Sequence, residues 1–414
     1  MSSRLNINRY IPDSSLLKKY PNLGPVEISR KKEFENNLPG ANYVLLYSHE
    51  AKKLIIVPPH HPLNSESKEN PGTDYAHVVF EGLSLEYKSE KEGNLILWKP
   101  RLMRLRRSTK HHGFQTPVSL SQLAQGIEDL VAVLGPAVLL GDGDKPSRAY
   151  IRPVVKRGFG RYGVLPSFIG KVDMTALIWN WPFYLPEEDY REGAPVVVYM
   201  DVQRAGKIYA KEAGNYARGT EIGIRSNEIG AHEVICVAPF LRNPSTGELR
   251  YEDTLVTSLN LKKLAHSVIF ADGMGEEILG VKGKRLFRPP LSVNRLGGTT
   301  LEYVAGHMAR KYGLEVVEDV FGLDDFTNGK LESLLMLGNA VKVIPVRELV
   351  LADKNNKIIE RIELTINETA RFLVDRFQQE LSGEVDPSHP SLLTPVKFNP
   401  QARAVLDNVY KNWI

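Results

Sequence analysis

The sequence predicts an α/β (α+β) protein of two domains with an N-terminal arm, and three observations carry this. The 414 residues suffice for two or three domains of ordinary size. Beyond residue 194, strand-like runs alternate with helical patterns, the order expected of an α/β unit. Residues 181–193 (WPFYLPEEDYREG) combine two prolines with a run of acids, the composition of an interdomain linker. The expected division is an arm at 1–40, a smaller α/β domain at 41–180, the linker at 181–193 and a larger α/β domain at 194–414.

Composition narrows the function classes. Hydrophobic residues at 42% and charged residues at 25% are ordinary globular values. The 53 Lys+Arg against 49 Asp+Glu leave a net charge of only +4, which argues against wholesale polyanion binding. The single cysteine, Cys236, excludes an intramolecular disulfide, a CxxC redox pair and a Cys-rich zinc site; it suits a buried side chain in a reducing compartment. No apolar run approaches the ~18 residues of a membrane span. Residues 1–24 have no apolar h-region, and Pro12 and Asp13 interrupt any helix of transit-peptide type. The expectation is a soluble cytoplasmic protein without membrane or nucleic-acid partners.

Taken in order, 1–40 is polar and punctuated by proline. Two apolar runs, 43–47 (YVLLY) and 54–57 (LIIV), flank a polar turn and read as a hairpin. Residues 61–74 have loop composition, and 77–87 and 94–98 form a second strand pair around KSEKEG. Helices are expected at 101–110 and 120–134. In the second, Leu120, Leu123, Ile127, Leu130, Val131 and Leu134 share a face, and Gly135-Pro136 is expected to stop it. Residues 149–155, 174–179 and 195–199 are strand-like. A helix from 215, strands at 233–237 and 267–270, a helix at 299–312, strands at 314–320 and 341–346, and a helix at 370–379 complete the chain.

Several segments carry chemistry. Residues 99–112 (KPRLMRLRRSTKHH) hold six Lys/Arg and no acid, which suits a nucleic-acid patch or a solvated basic face with one arginine turned inward at an anion; interleaved aromatics are missing. GFGRYG (158–163) matches GxGxxG, yet Val164-Leu165-Pro166-Ser167 follows instead of a helix start, so it reads as a turn. The pairs His60-His61 and His111-His112 are adjacent residues with diverging side chains, remote from metal-ligand spacing. LGGTTLEY (296–303) leads two glycines into a helix, which suits an anion site or simple capping by Thr299 or Thr300. KEAGNY (211–216) places a lysine one helical turn before a tyrosine, the arrangement of an amine nucleophile or of a surface lysine.

Together these segments resemble the fold-type IV pyridoxal-phosphate (PLP) enzymes, specifically the branched-chain amino acid aminotransferases. YAHVVFEGL (75–83) is similar to the strand ending in Phe-Glu-Gly. LWKPRLMRLRRS (97–108) resembles the Arg/Lys-Pro helix start, and the family's Arg-x-x-x-Ser spacing selects Arg104 with Ser108, Arg106 being the alternative. AYIRPVV (149–155) resembles Tyr-x-Arg-Pro, AKEAGNYA (210–217) Lys-x-Gly-Gly-Asn-Tyr, RPPLSVNRLGGTT (288–300) Pro-Pro-Leu…Gly-x-Thr, and LGNAVKVIPV (337–346) Gly-Thr-Ala…Pro-Val. The resemblance implies that Lys211 holds PLP and shuttles the α-proton, with Tyr216 beside it. It implies that Arg104 and the backbone of Gly298 and Thr299 hold the phosphate, that Asn339 belongs to the cofactor site, and that Tyr75, Tyr150 and Arg152 line the substrate side. A homodimer acting on an apolar amino acid or amine and a 2-oxo acid follows from the same resemblance, with no metal.

The departures leave alternatives. The family sets a glutamate against the pyridine nitrogen, in a Glu-x-Gly-x-x-Asn segment before a strand. Taking 267–272 as the strand after that segment puts Lys262 in its place, with Glu252 as the alternative carboxylate. Asn339 replaces a threonine, and Ala213 replaces the first glycine of Gly-Gly. A protein of this fold that has lost transamination, using its pocket for lyase, racemase or cyclisation chemistry or for cofactor-free binding, therefore stands as the second reading. A basic-helix nucleic-acid binder is the third.

Overall fold

The structure is a computed structural model that describes residues 5–21, 25–65, 70–140, 147–160, 170–203, 209–243, 245–251 and 264–413. Glu252, Lys262 and the end of the 158–163 turn lie outside these residues. The chain divides into two compact units. The first comprises Met1–Pro182, Ala210–Gly214 and Leu393–Ile414; the second comprises Phe183–Tyr209 and Asn215–Leu392. The segment around Lys211 and the C-terminal tail thus group with the first unit, in place of the continuous 194–414 domain expected from sequence. The reason is strand pairing: Leu393–Lys397 extends the first sheet beside Glu92–Ile96, and Glu212 bridges to Val79.

The first unit is an antiparallel sheet in the order Leu393–Lys397, Glu92–Ile96, Leu83–Ser89, Arg148–Gly160, Gly170–Asn180, Val44–Ser48, Lys53–Val57, with Val78–Phe80 also paired to Arg148–Gly160. Alternation assigns its faces. Ala149, Ile151, Val155, Met174, Ala176 and Ile178 are fully buried on one side. Tyr150, Arg152, Val154, Leu177 and Trp179 share the other. Helix Leu120–Leu140 covers the core face through Leu123, Ile127, Leu130 and Leu134.

That helix runs through Gly135-Pro136 instead of stopping there. A proline withholds the N–H that would bond the carbonyl four residues back, here that of Ala132. The amide of Asn399 donates to this carbonyl at 2.7 Å, and Phe398 packs where a side chain at Gly135 would stand. The C-terminal tail thereby compensates the interruption. By length and composition the helix could cross a membrane, yet 67% of its most apolar window is buried inside the protein. The arm also departs from expectation: Pro25–Asn37 is helical, and Ile7 and Tyr10 enter the first unit's core.

The second unit holds a mixed sheet in the order Leu249–Tyr251, Glu233–Arg242, Ala194–Gln203, Lys342–Ala352, Ser333–Gly338, Glu277–Lys282, Arg285–Arg288, Glu315–Glu318. Val268–Gly273 joins Glu233–Arg242, and Ile358–Glu363 joins Lys342–Ala352. Ala194–Gln203 runs parallel to both neighbours, and its first seven residues are all buried, as expected of a near-continuous apolar run in a parallel arrangement. The linker forms helix Glu187–Glu192, whose fully buried Asp189 accepts from His232 Nδ1 (2.6 Å) and Arg347 Nη1 (3.2 Å). The helix predicted at 299–312 forms, with a π-turn at Tyr303–Met308.

Candidate active site

In the first unit the site is built on helix Trp98–His111. Residues 101, 104, 108 and 112 recur every three or four positions, so they fall on one helix face. Arg101, Arg104 and Ser108 are buried, while Arg106, Arg107 and Lys110 are exposed. The basic run therefore splits into an inward and a solvated face, and Arg104, not Arg106, belongs to the inward one. Arg104 donates from Nε to Glu81 Oε1 at 2.6 Å and from Nη2 to Oε2 at 2.9 Å. Arg101 donates from Nη1 to the Gly82 carbonyl at 2.9 Å. Burial, and next the charge of Arg104, pushes the Arg101 guanidinium down to about 9.

Lys211 meets this helix from the other side. Its amide donates to Ser108 Oγ at 3.0 Å, and its carbonyl accepts from the Phe80 amide at 3.1 Å. The side chain is 9% exposed, with Nζ 5.0 Å from the centre of the Phe80 ring. Arg152 lies over the same ring at 4.6 Å and donates from Nη2 to the Tyr150 hydroxyl at 3.1 Å. Trp179 and Trp181 each pack 4.9 Å from Tyr150. The first unit thus gathers Lys211, Arg104, Tyr150 and Arg152, four of the residues predicted from sequence, around the Phe80-Glu81-Gly82 strand end. Tyr75 stands nearby in sequence but is 47% exposed. A buried cation demands an anion. Arg101, Arg104 and Lys211 are all buried here, and among the described residues Glu81 is a carboxylate buried with them.

The second unit builds a separate set. Gly298 is the N-cap of Thr299–Glu302. The segment leading into it is held from two sides: the Leu296 amide donates to Asp272 Oδ2 at 3.2 Å, and Arg295 Nη1 donates to Glu277 Oε1 at 2.5 Å. A Cβ on Gly298 would sit 1.4 Å from Glu277 Oε2, so any side chain there would have to displace this carboxylate. Thr300 Oγ1 donates to the Gly338 carbonyl at 3.2 Å, which joins Gly298 and Thr299 to the turn carrying half-buried Asn339. Tyr216, also half-buried, ends the Ala213–Tyr216 turn and caps Ala217–Glu228.

No family model matches the chain. The branched-chain-amino-acid aminotransferase of Salmonella typhimurium is 24% identical over 278 residues, covering 66% of this chain and 77% of that protein. The probable branched-chain-amino-acid aminotransferase of Staphylococcus aureus (strain N315) is 26% identical over 327 residues, 76% of this chain and 80% of that one. The branched-chain aminotransferase of the archaeon Thermoproteus uzoniensis, solved with norvaline, superposes with a TM-score of 0.64 at 19% identity, over 86% of this chain and 99% of the other. The fold is that of the branched-chain aminotransferases. This chain is a divergent relative of them, of fold-type IV. A further solved branched-chain amino acid aminotransferase, with pyridoxamine 5'-phosphate bound, superposes with a TM-score of 0.63 at 21% identity, over 86% of this chain and 98% of the other.

Sequence reasoning missed Asp272, which is fully buried. The sequence reading takes 267–272 as the strand that follows the carboxylate segment. In the structure Asp272 closes strand Val268–Gly273, and Met274-Gly275-Glu276 lead directly into strand Glu277–Lys282. An acid followed by two glycines within three residues and then an apolar run was the available signal. Glu81 and Arg101 were missed as well, because a pairing between a strand end and a helix face has no spacing in the sequence.

Proposed function

We propose that this protein is a PLP-dependent aminotransferase of the branched-chain type, moving an amino group between an apolar amino acid or amine and a 2-oxo acid. The observation that carries the reading is Lys211, a buried amine over the Phe80 ring, whose own backbone bonds to Ser108 on the helix that also carries buried Arg101 and Arg104. The names of the relatives and the fold support it.

The donor set fits PLP on three counts. The cofactor's aldehyde needs an amine, its phosphate needs cations and N–H donors, and its pyridine nitrogen needs a carboxylate. In the first unit Lys211 would supply the first and Arg104 a cation for the second; in the second unit the backbone at Gly298 and Thr299, with Asn339 on the turn bonded to Thr300, would supply N–H donors, and Asp272 the third. We infer that Asp272, rather than Glu252 or Lys262, takes the family glutamate's role. When bound, PLP supplies the electron sink that makes the substrate α-carbon acidic.

The chain's own residues do the remaining work. Lys211 Nζ carries the proton to and from the α-carbon as general base and acid, and burial under Phe80 limits its access to bulk water. Glu81 fixes the Arg104 fork, so the cation is oriented before the anion arrives. Arg152 and Tyr150, tied to each other on the face of the sheet opposite the core helix, would orient the substrate carboxylate, with Tyr75 in the first unit proposed for the substrate side and Tyr216 in the second for the cofactor side. Assembly as a homodimer and residence in the cytoplasm belong to the same reading.

The test is a half-reaction. Protein loaded with PLP is mixed with leucine, and conversion of the cofactor to its aminated form is followed by absorbance. Conversion restored to the starting spectrum by a 2-oxo acid is the expected result; a PLP-loaded protein inert towards apolar amino acids and amines would remove the transaminase assignment.

A further inference from the structure

One pair outside the roles assigned above sits directly against Lys211. His112, the C-cap of helix Trp98–His111, donates from Nε2 to Oε2 of Glu212 at 2.5 Å. A carboxylate only accepts, so the proton of this bond resides on the imidazole. Both partners are held from behind. The His112 ring stacks on Phe114 at 5.7 Å and 11° and lies 5.2 Å from His77, while Glu212 pairs through its backbone with Val79.

The chain order gives the pair its meaning. The helix takes hold of this segment at two successive positions: Ser108 holds the amide of Lys211, and one turn later His112 holds the side chain of Glu212. With the Lys211 carbonyl bonded to Phe80, the peptide on each side of Lys211 is anchored. We propose that His112 is a positioning residue for Lys211, acting through Glu212 to fix the direction in which the lysine side chain leaves the backbone. The rings of His77 and His111 lie 5.2 and 5.8 Å from that of His112, and Arg157 lies over the Phe114 ring at 5.6 Å, so the groups around His112 are basic and Glu212 is the acceptor that completes it. His112 is 14% and Glu212 31% exposed at the side chain, so the bond is shielded enough from water to act as a clamp. The inference rests on Lys211 being the cofactor lysine.

The test uses full-length wild type, H112A, H112Q and E212Q in two measurements. Hydrogen exchange of the peptide spanning 209–216 reads the anchoring with no cofactor present. Titration with PLP reads affinity and the pH midpoint of the protein's PLP absorbance. Loss of one charge-assisted hydrogen bond should speed exchange and weaken PLP binding about tenfold in H112A, with a displaced midpoint. H112Q keeps an N–H donor and E212Q keeps an acceptor, so both should stay near wild type. Wild-type exchange, affinity and midpoint in H112A overturn the proposal, as does an H112Q as impaired as H112A. A wild type that takes up no PLP overturns the cofactor reading instead, and the exchange measurement alone then decides the anchoring.

Discussion

Arg104 and Glu81 form a two-point pair in the interior of the first unit, with Nε and Nη2 of the guanidinium on the two carboxylate oxygens at 2.6 and 2.9 Å. The pair joins the helix that carries Ser108 to the strand end that carries Phe80, and both of these bond to Lys211. The cation proposed for the phosphate and the backbone of the proposed cofactor lysine are therefore parts of one hydrogen-bonded frame.

Breaking that pair should cost more than its net worth, because the remaining charge is left buried. Glu81→Ala is expected to destabilise the first unit by about 3–5 kcal/mol. A Glu81→Leu/Arg104→Met double replacement should cost less than the two single losses added together. Urea unfolding of the singles and the double checks this; strict additivity would mean that the two residues do not act as a pair.

Asp272 is expected to govern chemistry and not cofactor capture. Asp272→Asn should still take up PLP but slow the single-turnover half-reaction with leucine by about 100-fold or more, since a neutral amide cannot hold a neighbouring nitrogen protonated. Asp272→Glu should recover most of the rate. Stopped-flow absorbance separates uptake from turnover, and an Asp272→Asn variant with wild-type turnover would return the role to another carboxylate.

Stability should also carry a histidine signature. His61 is fully buried, its ring 4.4 Å from Trp413 and 5.8 Å from Tyr410, and burial, with the charge of His60 next, pushes its pKa down to about 4. The unfolded chain binds this proton from about pH 6.5. Between those values the unfolded state holds more protons than the folded one, so stability rises with pH. The contribution is complete above pH 6.5 and disappears by about pH 4, a span worth about 3 kcal/mol. Urea midpoints at pH 7.5 and 4.5 should fall further in wild type than in His61→Phe; equal falls would mean that His61 is not the responsible group.

What the sequence made legible follows from locality. The resemblance points to Arg104 through the family's Arg-x-x-x-Ser pattern, which is legible because a helix face repeats every three to four residues and so keeps Arg104 and Ser108 together; Arg106 is exposed. The apolar run of the Ala194–Gln203 strand announces itself because burial on both faces leaves no polar alternation. Non-local features are hidden. Pro136 reads as a helix stop because nothing nearby shows that Asn399 will bond to the carbonyl it releases. Asp272, the carboxylate proposed for the pyridine nitrogen, escapes notice because a strand of six residues, Val268–Gly273, looks alike whether such a carboxylate stands before it or at its end. The return of 393–413 to the first unit depends on an edge strand whose partner lies about 300 residues earlier.

The most direct test of the account is covalent trapping at Lys211. Purified protein incubated with PLP and reduced with borohydride is digested, and the modified peptide is identified by mass spectrometry. The account predicts one phosphopyridoxyl group on Lys211, lost together with the visible absorbance in Lys211→Ala. Modification at another lysine, or absorbance that persists in Lys211→Ala, would contradict it.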